Sequence, residues 1–112
     1  MSLQLNKLQR VIQELRTVQY DMPAQTILAL LYIADRDQQG IPVTVTDVGH
    51  YIGASSASAS RNVAMLAKTS WTGKDGAGLV YTEENPNRRI EKFIKLTADG
   101  KALIKRIEEY IK

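Results

Sequence analysis

The chain of 112 residues has no cysteine and a single histidine, His50. The first absence excludes disulfides, thiolate metal sites and cysteine-based redox sensing. The second excludes a multi-histidine metal centre. No apolar run approaches the roughly 20 residues that span a bilayer, and the opening MSLQLNKLQR lacks the apolar core of a signal peptide. A cytoplasmic location is therefore the expectation. No nucleophile–base pair or cofactor loop survives inspection, so an enzyme is not expected. Gly73-Lys74 suggests a phosphate loop, but Lys68 stands where the first glycine belongs and Asp75 where a magnesium-holding Ser/Thr belongs.

What is present is one modest core and a basic balance. Hydrophobic residues make up 44% of the chain and charged residues 24%, which suits one globular domain over residues 1–112. The net charge of +3 is weak evidence alone. Its distribution says more. Between Arg61 and Lys95 stand seven cations (Arg61, Lys68, Lys74, Arg88, Arg89, Lys92, Lys95) against four anions (Asp75, Glu83, Glu84, Glu91), an excess equal to that of the whole chain.

Periodicity divides the chain into five helices and a hairpin. Leu5, Leu8, Ile12 and Leu15 recur at helical spacing and predict an amphipathic helix over 3–19. Pro23 restarts a helix over about 23–36, apolar nearly all round and hence central, with Gly40 as terminator. Ile41–Val43 reads as a short extended piece able to pair with the later hairpin. Thr44 and Asp47 suit the N-terminus of a third helix over 45–52, broken by Gly53. Ser55 or Ser56 suits the cap of a fourth within Ala54–Lys68, where Ala59, Val63 and Leu66 share one face and Ser58, Arg61, Asn62 and Lys68 the other. Helix, glycine-containing turn, helix is the helix-turn-helix plan, here 44–68. Thr69–Ala77 reads as a loop, with Trp71 best taken as its hydrophobic plug. Residues 78–97 form a β-hairpin whose tip holds Asn85, Pro86, Asn87, Arg88 and Arg89. A last helix over 98–112 carries Leu103, Ile107, Tyr110 and Ile111. The expected class is mainly α with a small β-hairpin wing, in the order α-α-(β)-α-α-β-β-α.

These elements suit a DNA duplex. A helix rich in small polar residues enters a major groove, where Arg61 suits guanine and Asn62 suits adenine, while Ser58 serves bases or phosphates. An arginine-tipped hairpin reaches an adjacent minor groove. Thr44, Thr46, Ser55 and Ser56 cap helices whose N–H groups can also face phosphate. Lys92 is a phosphate candidate. His50 and Tyr51 suit packing or one phosphate contact. The apolar stripe of the first helix exceeds what a small core can cover. Leu5, Leu8, Ile12, Leu15, Leu103, Ile107, Tyr110 and Ile111 are therefore the expected homodimer interface.

The stretches TDVGHYIGASSASASRNVAML and GLVYTEENPNRRIEKFIKLTADG resemble the helix-turn-helix and wing of the MarR-type regulators of bacteria and phages. The resemblance covers roughly residues 23–107. It rests on Ser60-Arg61, on Gly78-Leu79-Val80 opening the wing, and on Leu96-Thr97-x-x-Gly100 closing it. It departs at Asn87, where that family usually carries aspartate, and in the longer link containing WTGKDG. It implies a homodimeric winged helix-turn-helix DNA-binding transcription regulator, expected as a repressor. Alternatives are a replication or architectural DNA-binding factor, and a winged-helix protein-interaction module that binds no DNA. No cofactor is expected, and no set of residues argues for a small-molecule effector pocket.

Overall fold

The computed structural model of the chain describes residues 2–67 and 76–112, without the side chain of Arg89. The elements are α1 (Leu3–Val18), α2 (Ala24–Gln38), α3 (Val45–Ile52), α4 (Ser56–Leu66), β1 (Val80–Asn85), β2 (Arg88–Leu96) and α5 (Ala98–Ile111). The predicted loop with Trp71 and Lys74, and Lys68 itself, fall largely outside the described residues.

Capping side chains set the helix starts. The Ser2 hydroxyl accepts from the Leu5 N–H at 3.1 Å, and the Ser55 hydroxyl accepts from the Ser58 N–H at 3.2 Å. At α3 the capping box is complete. Asp47 N–H donates to the Thr44 hydroxyl at 3.1 Å, and Thr44 N–H donates to the Asp47 carboxylate at 3.0 Å. Aspartate thus serves where the stricter pattern has Glu or Gln. Gly53 ends α3 at φ +68°, a left-handed conformation open to glycine at little cost, and so makes the tight turn into α4.

Leu30, Ile33, Val48, Leu66, Leu79, Val80, Leu15 and Leu103 are fully or almost fully buried and form one continuous core. Helix α2 is central, as its composition predicts, but Leu28 and Leu31 remain 40% and 38% exposed. Its neighbours α3, α4 and β2 do not enclose it on every side. The flank beside α5 stays open as a shallow groove between Leu31, Ala34, Ile104, Ile107 and Ile111.

β1 and β2 pair antiparallel from Val80↔Leu96 to Glu84↔Lys92, then shift register to Asn85↔Arg88. The extended piece near residue 43 is less than a strand. Ile94 N–H donates to the Val43 carbonyl at 2.8 Å, and Thr44 forms a single bridge to Phe93. Pro42 has no N–H to give to a ladder, and Thr44 already caps α3, so pairing stops there.

The motif residues at the two ends of the hairpin meet in space. Thr97 N–H donates to the Leu79 carbonyl at 2.9 Å, and its hydroxyl donates to the Gly78 carbonyl at 2.8 Å. The same hydroxyl accepts from Gly100 N–H at 3.0 Å and so caps α5. A Cβ at position 100 would overlap the Leu79 carbonyl oxygen. Only glycine allows α5 to start so close to the foot of the wing.

Candidate nucleic-acid interface

Helix α4 buries Ala59, Val63 and Leu66 and turns Ser56, Ser60 and Arg61 outward. The wing stands beside it. Between them lies a cleft of about 500 Å³ walled by Thr46 of α3, Ser56 and Ser60 of α4, and Thr82, Arg88, Ile90 and Lys92 of the hairpin. Two helix starts, two wing cations and the carboxylate of Glu91 therefore share one concave surface. Thr46, Ser55, Ser56, Arg61, Asn87, Arg88 and Lys92 are all exposed.

Two expected contacts are corrected. Asn62 is only 6% exposed and points into the protein. Its amide oxygen accepts from the Thr26 hydroxyl at 2.6 Å, and its amide nitrogen donates to the Gln25 side-chain oxygen at 3.1 Å and the Ser58 carbonyl at 2.9 Å. Those bonds occupy its hydrogen-bonding groups, so Asn62 fixes α4 to α2 and is not free to read a base. Thr44 is 7% exposed, and its hydroxyl is committed to the α3 cap. Ser58 is half-buried, with its hydroxyl 3.5 Å from the Gln25 oxygen, which leaves it a marginal contact.

Gln25 is a residue that sequence reasoning passed over. It lies on α2, outside the helix-turn-helix, yet its exposed side chain reaches α4. With its oxygen accepting from Asn62 and Ser58, its amide nitrogen is left as a donor. Only the packing of α2 on α4 reveals this, because the two residues are 37 positions apart.

At the wing tip the Asn85 side chain accepts from Asn87 N–H at 2.9 Å and shapes the turn. Arg88 lies 3.7 Å from Glu91, and Lys95 lies 3.9 Å from Glu83. Both pairs are partly exposed and long, so they tether these side chains only weakly. His50 is exposed, and Tyr51 stacks on Tyr32 with ring centroids 4.2 Å apart. The side chain of Arg89 lies outside the description, and so does Lys68. Among the described residues no three His, Asp or Glu side chains are grouped to hold a metal ion, and no helix is long and apolar enough to cross a membrane.

The expected dimer residues divide into two sets. Leu15, Leu103 and Ile107 are 1%, 0% and 4% exposed and are corrected. They are spent inside the chain's own core, where α1 packs on α5, and are unavailable to a second copy. Leu5, Leu8, Ile12 and Ile111 are 46–57% exposed, and Leu3 is 67% exposed. Tyr110 is half-buried and donates to Glu14 at 2.9 Å.

No protein-family model and no curated protein matches the sequence. Solved structures match it in shape. MepR, a transcription regulator of the Staphylococcus aureus multidrug efflux pump MepA, aligns at a TM-score of 0.67 and 20% identity, over 95% of this chain and 68% of that one. The fold is the MarR-type winged helix. The S. aureus MepR–DNA complex gives a TM-score of 0.69 at 17% identity, covering 94% of this chain and 73% of that one. A MarR-like transcriptional regulator from Thermotoga maritima gives 0.62 at 23% identity, covering 81% and 56%. The chain thus spans between about half and three quarters of the length of these structures.

Proposed function

We propose that the protein is a sequence-reading, double-stranded DNA-binding transcription regulator that acts as a homodimer, as a repressor. The observation that carries this reading is the single concave face on which α4 and the wing hold Ser56, Ser60, Arg88 and Lys92, with Arg61 exposed on the same helix. Helix α4 enters the major groove, and Arg61 reads a base edge there. The wing lies along the adjacent minor groove, and Lys92, Thr46 and Ser56 meet the phosphates between. That MepR, of the same fold, was solved on DNA supports the assignment. The exposed stripe Leu5, Leu8 and Ile12 supports the dimer, and Ile111 is a further exposed apolar side chain on α5. A two-fold dimer would set two α4 helices about one turn of DNA, roughly 34–36 Å, apart on an inverted repeat. Repression then follows from occupying the site polymerase needs.

Selection of bound sequences from a random duplex pool, at two salt concentrations, tests this reading. Enrichment of an inverted repeat is the expected result. Salt-sensitive binding without a motif would favour an architectural or replication factor. The absence of binding at low salt would leave a protein-interaction module.

A further inference from the structure

Across the wing, β1 advances one residue between the pairs Glu84↔Lys92 and Asn85↔Arg88 while β2 advances four. Arg89, Ile90 and Glu91 therefore face no partner. Such bulges re-aim side chains out of the regular pleat. Ile90, at the middle of this one, is 93% exposed, more than any other large apolar side chain among the described residues. Strand alternation groups it with Ile94 and Leu96, which are buried. The hairpin runs past the body, and Ile90 contributes nothing to the core. It lines the wing wall of the cleft between Arg88 and Lys92, opposite Thr46, Ser56 and Ser60.

We propose that Ile90 is an apolar wedge for the minor groove. Its side chain enters the duplex beside the wing cations, partly unstacks one base step and bends the DNA. The proposal rests on the DNA-binding reading above. A lone exposed isoleucine is ordinary. This one is held on a bulge, on the wall of the cleft, with Arg88 and Lys92 on either side and Glu91, which pairs with Arg88, next to it. Minor-groove proteins insert isoleucine, leucine or phenylalanine between base steps and kink the duplex, and T-A steps yield most readily. An aliphatic side chain has no hydrogen bond to offer, so it reads the ease of unstacking and not a base edge. The leucines suited to a second copy lie on α1, a different element.

The test uses wild type, Ile90→Ala, Ile90→Ser and Ile90→Leu on a short duplex of alternating T-A steps. 2-Aminopurine in the duplex reports unstacking, and energy transfer between labelled ends reports bending. Wild type and Ile90→Leu are expected to raise the 2-aminopurine signal and bring the ends together. Ile90→Ala and Ile90→Ser should lose both signals and bind roughly tenfold more weakly, the lower end of what burying an isoleucine is worth. Because the side chain is exposed, all variants should melt alike. If wild type binds and the Ala and Ser variants bend and bind equally well, the wedge is wrong while DNA binding stands. A change confined to sedimentation would assign Ile90 to a protein contact and overturn the proposal. If wild type does not bind the duplex at low salt, both readings fall together.

Discussion

Helices α1 and α4 are both amphipathic, yet they bury opposite things. α4 spends its whole apolar face inside the chain and buries the polar Asn62 as well. It leaves Ser56, Ser60 and Arg61 outside, a finished surface of polar groups suited to a polyanion. α1 buries only Val11 and Leu15 against the body and leaves Leu5, Leu8 and Ile12 half in water. Its apolar stripe is wider than α5 can cover, so its surface is an unfinished core edge. One helix leaves a polar face outside and the other an apolar one.

The sharpest way to break this comparison is on α1. The double substitution Leu8→Glu with Ile12→Glu should leave the monomer folded, since both side chains are about half exposed. Each would forfeit, in each of the two copies, about half of the roughly 1.5–3 kcal/mol that full burial is worth. Self-association should therefore weaken on the order of 100-fold or more, read by sedimentation. If the variant and wild type sediment identically as dimers, the α1 stripe is not the interface.

On α4 the neighbours Arg61 and Asn62 should separate cleanly. Asn62→Ala would strand the buried Thr26 hydroxyl, at a cost of about 1–3 kcal/mol of stability. Arg61→Ala should leave the melting transition unchanged. It should cost about 1–3 kcal/mol of affinity for a selected site and relax sequence preference. Equal loss on selected and random DNA would remove Arg61 from base reading. Lys92→Ala is a smaller perturbation. It should weaken all sequences alike and reduce the slope of log affinity against log salt by about one.

That contrast was only half legible in the sequence. Caps and wing bookends are local signals, and Thr44, Ser55, Thr97 and Gly100 do what their neighbours require. The fates of Asn62, Leu15, Leu103 and Ile107 depend on which distant element packs against them. Helical periodicity marks a face as apolar without saying whether α5 or a second copy covers it. Asn62 follows the polar pattern of its helix, yet α2 lies over it and supplies Thr26 and Gln25 as partners. Alternation along β2 likewise misplaces Ile90, because nothing local announces the register shift.

The smallest expected effect tests how firmly α1 is held against α5. Glu14 of α1 accepts from the Tyr110 hydroxyl at 2.9 Å and from Arg106 at 3.1 Å, both on α5. The Tyr110 hydrogen bond first, and the Arg106 bond second, hold its carboxyl below the ordinary value of 4.5. The Glu14 bond raises Tyr110 above its ordinary 10.0. A depressed carboxyl contributes stability that is complete above its unfolded value and is lost as pH falls through the lower folded one. A raised phenol contributes stability that is present below its unfolded value and is lost as pH climbs through the higher folded one. The tie between α1 and α5 should therefore be whole from about pH 5 to 9 and weaken on either side. Melting across that range and below it should show wild type above Glu14→Gln at neutral pH, with the two curves converging as the solution is acidified. A gap that stays constant into acid would mean that packing around Glu14, not its charge, joins the two helices.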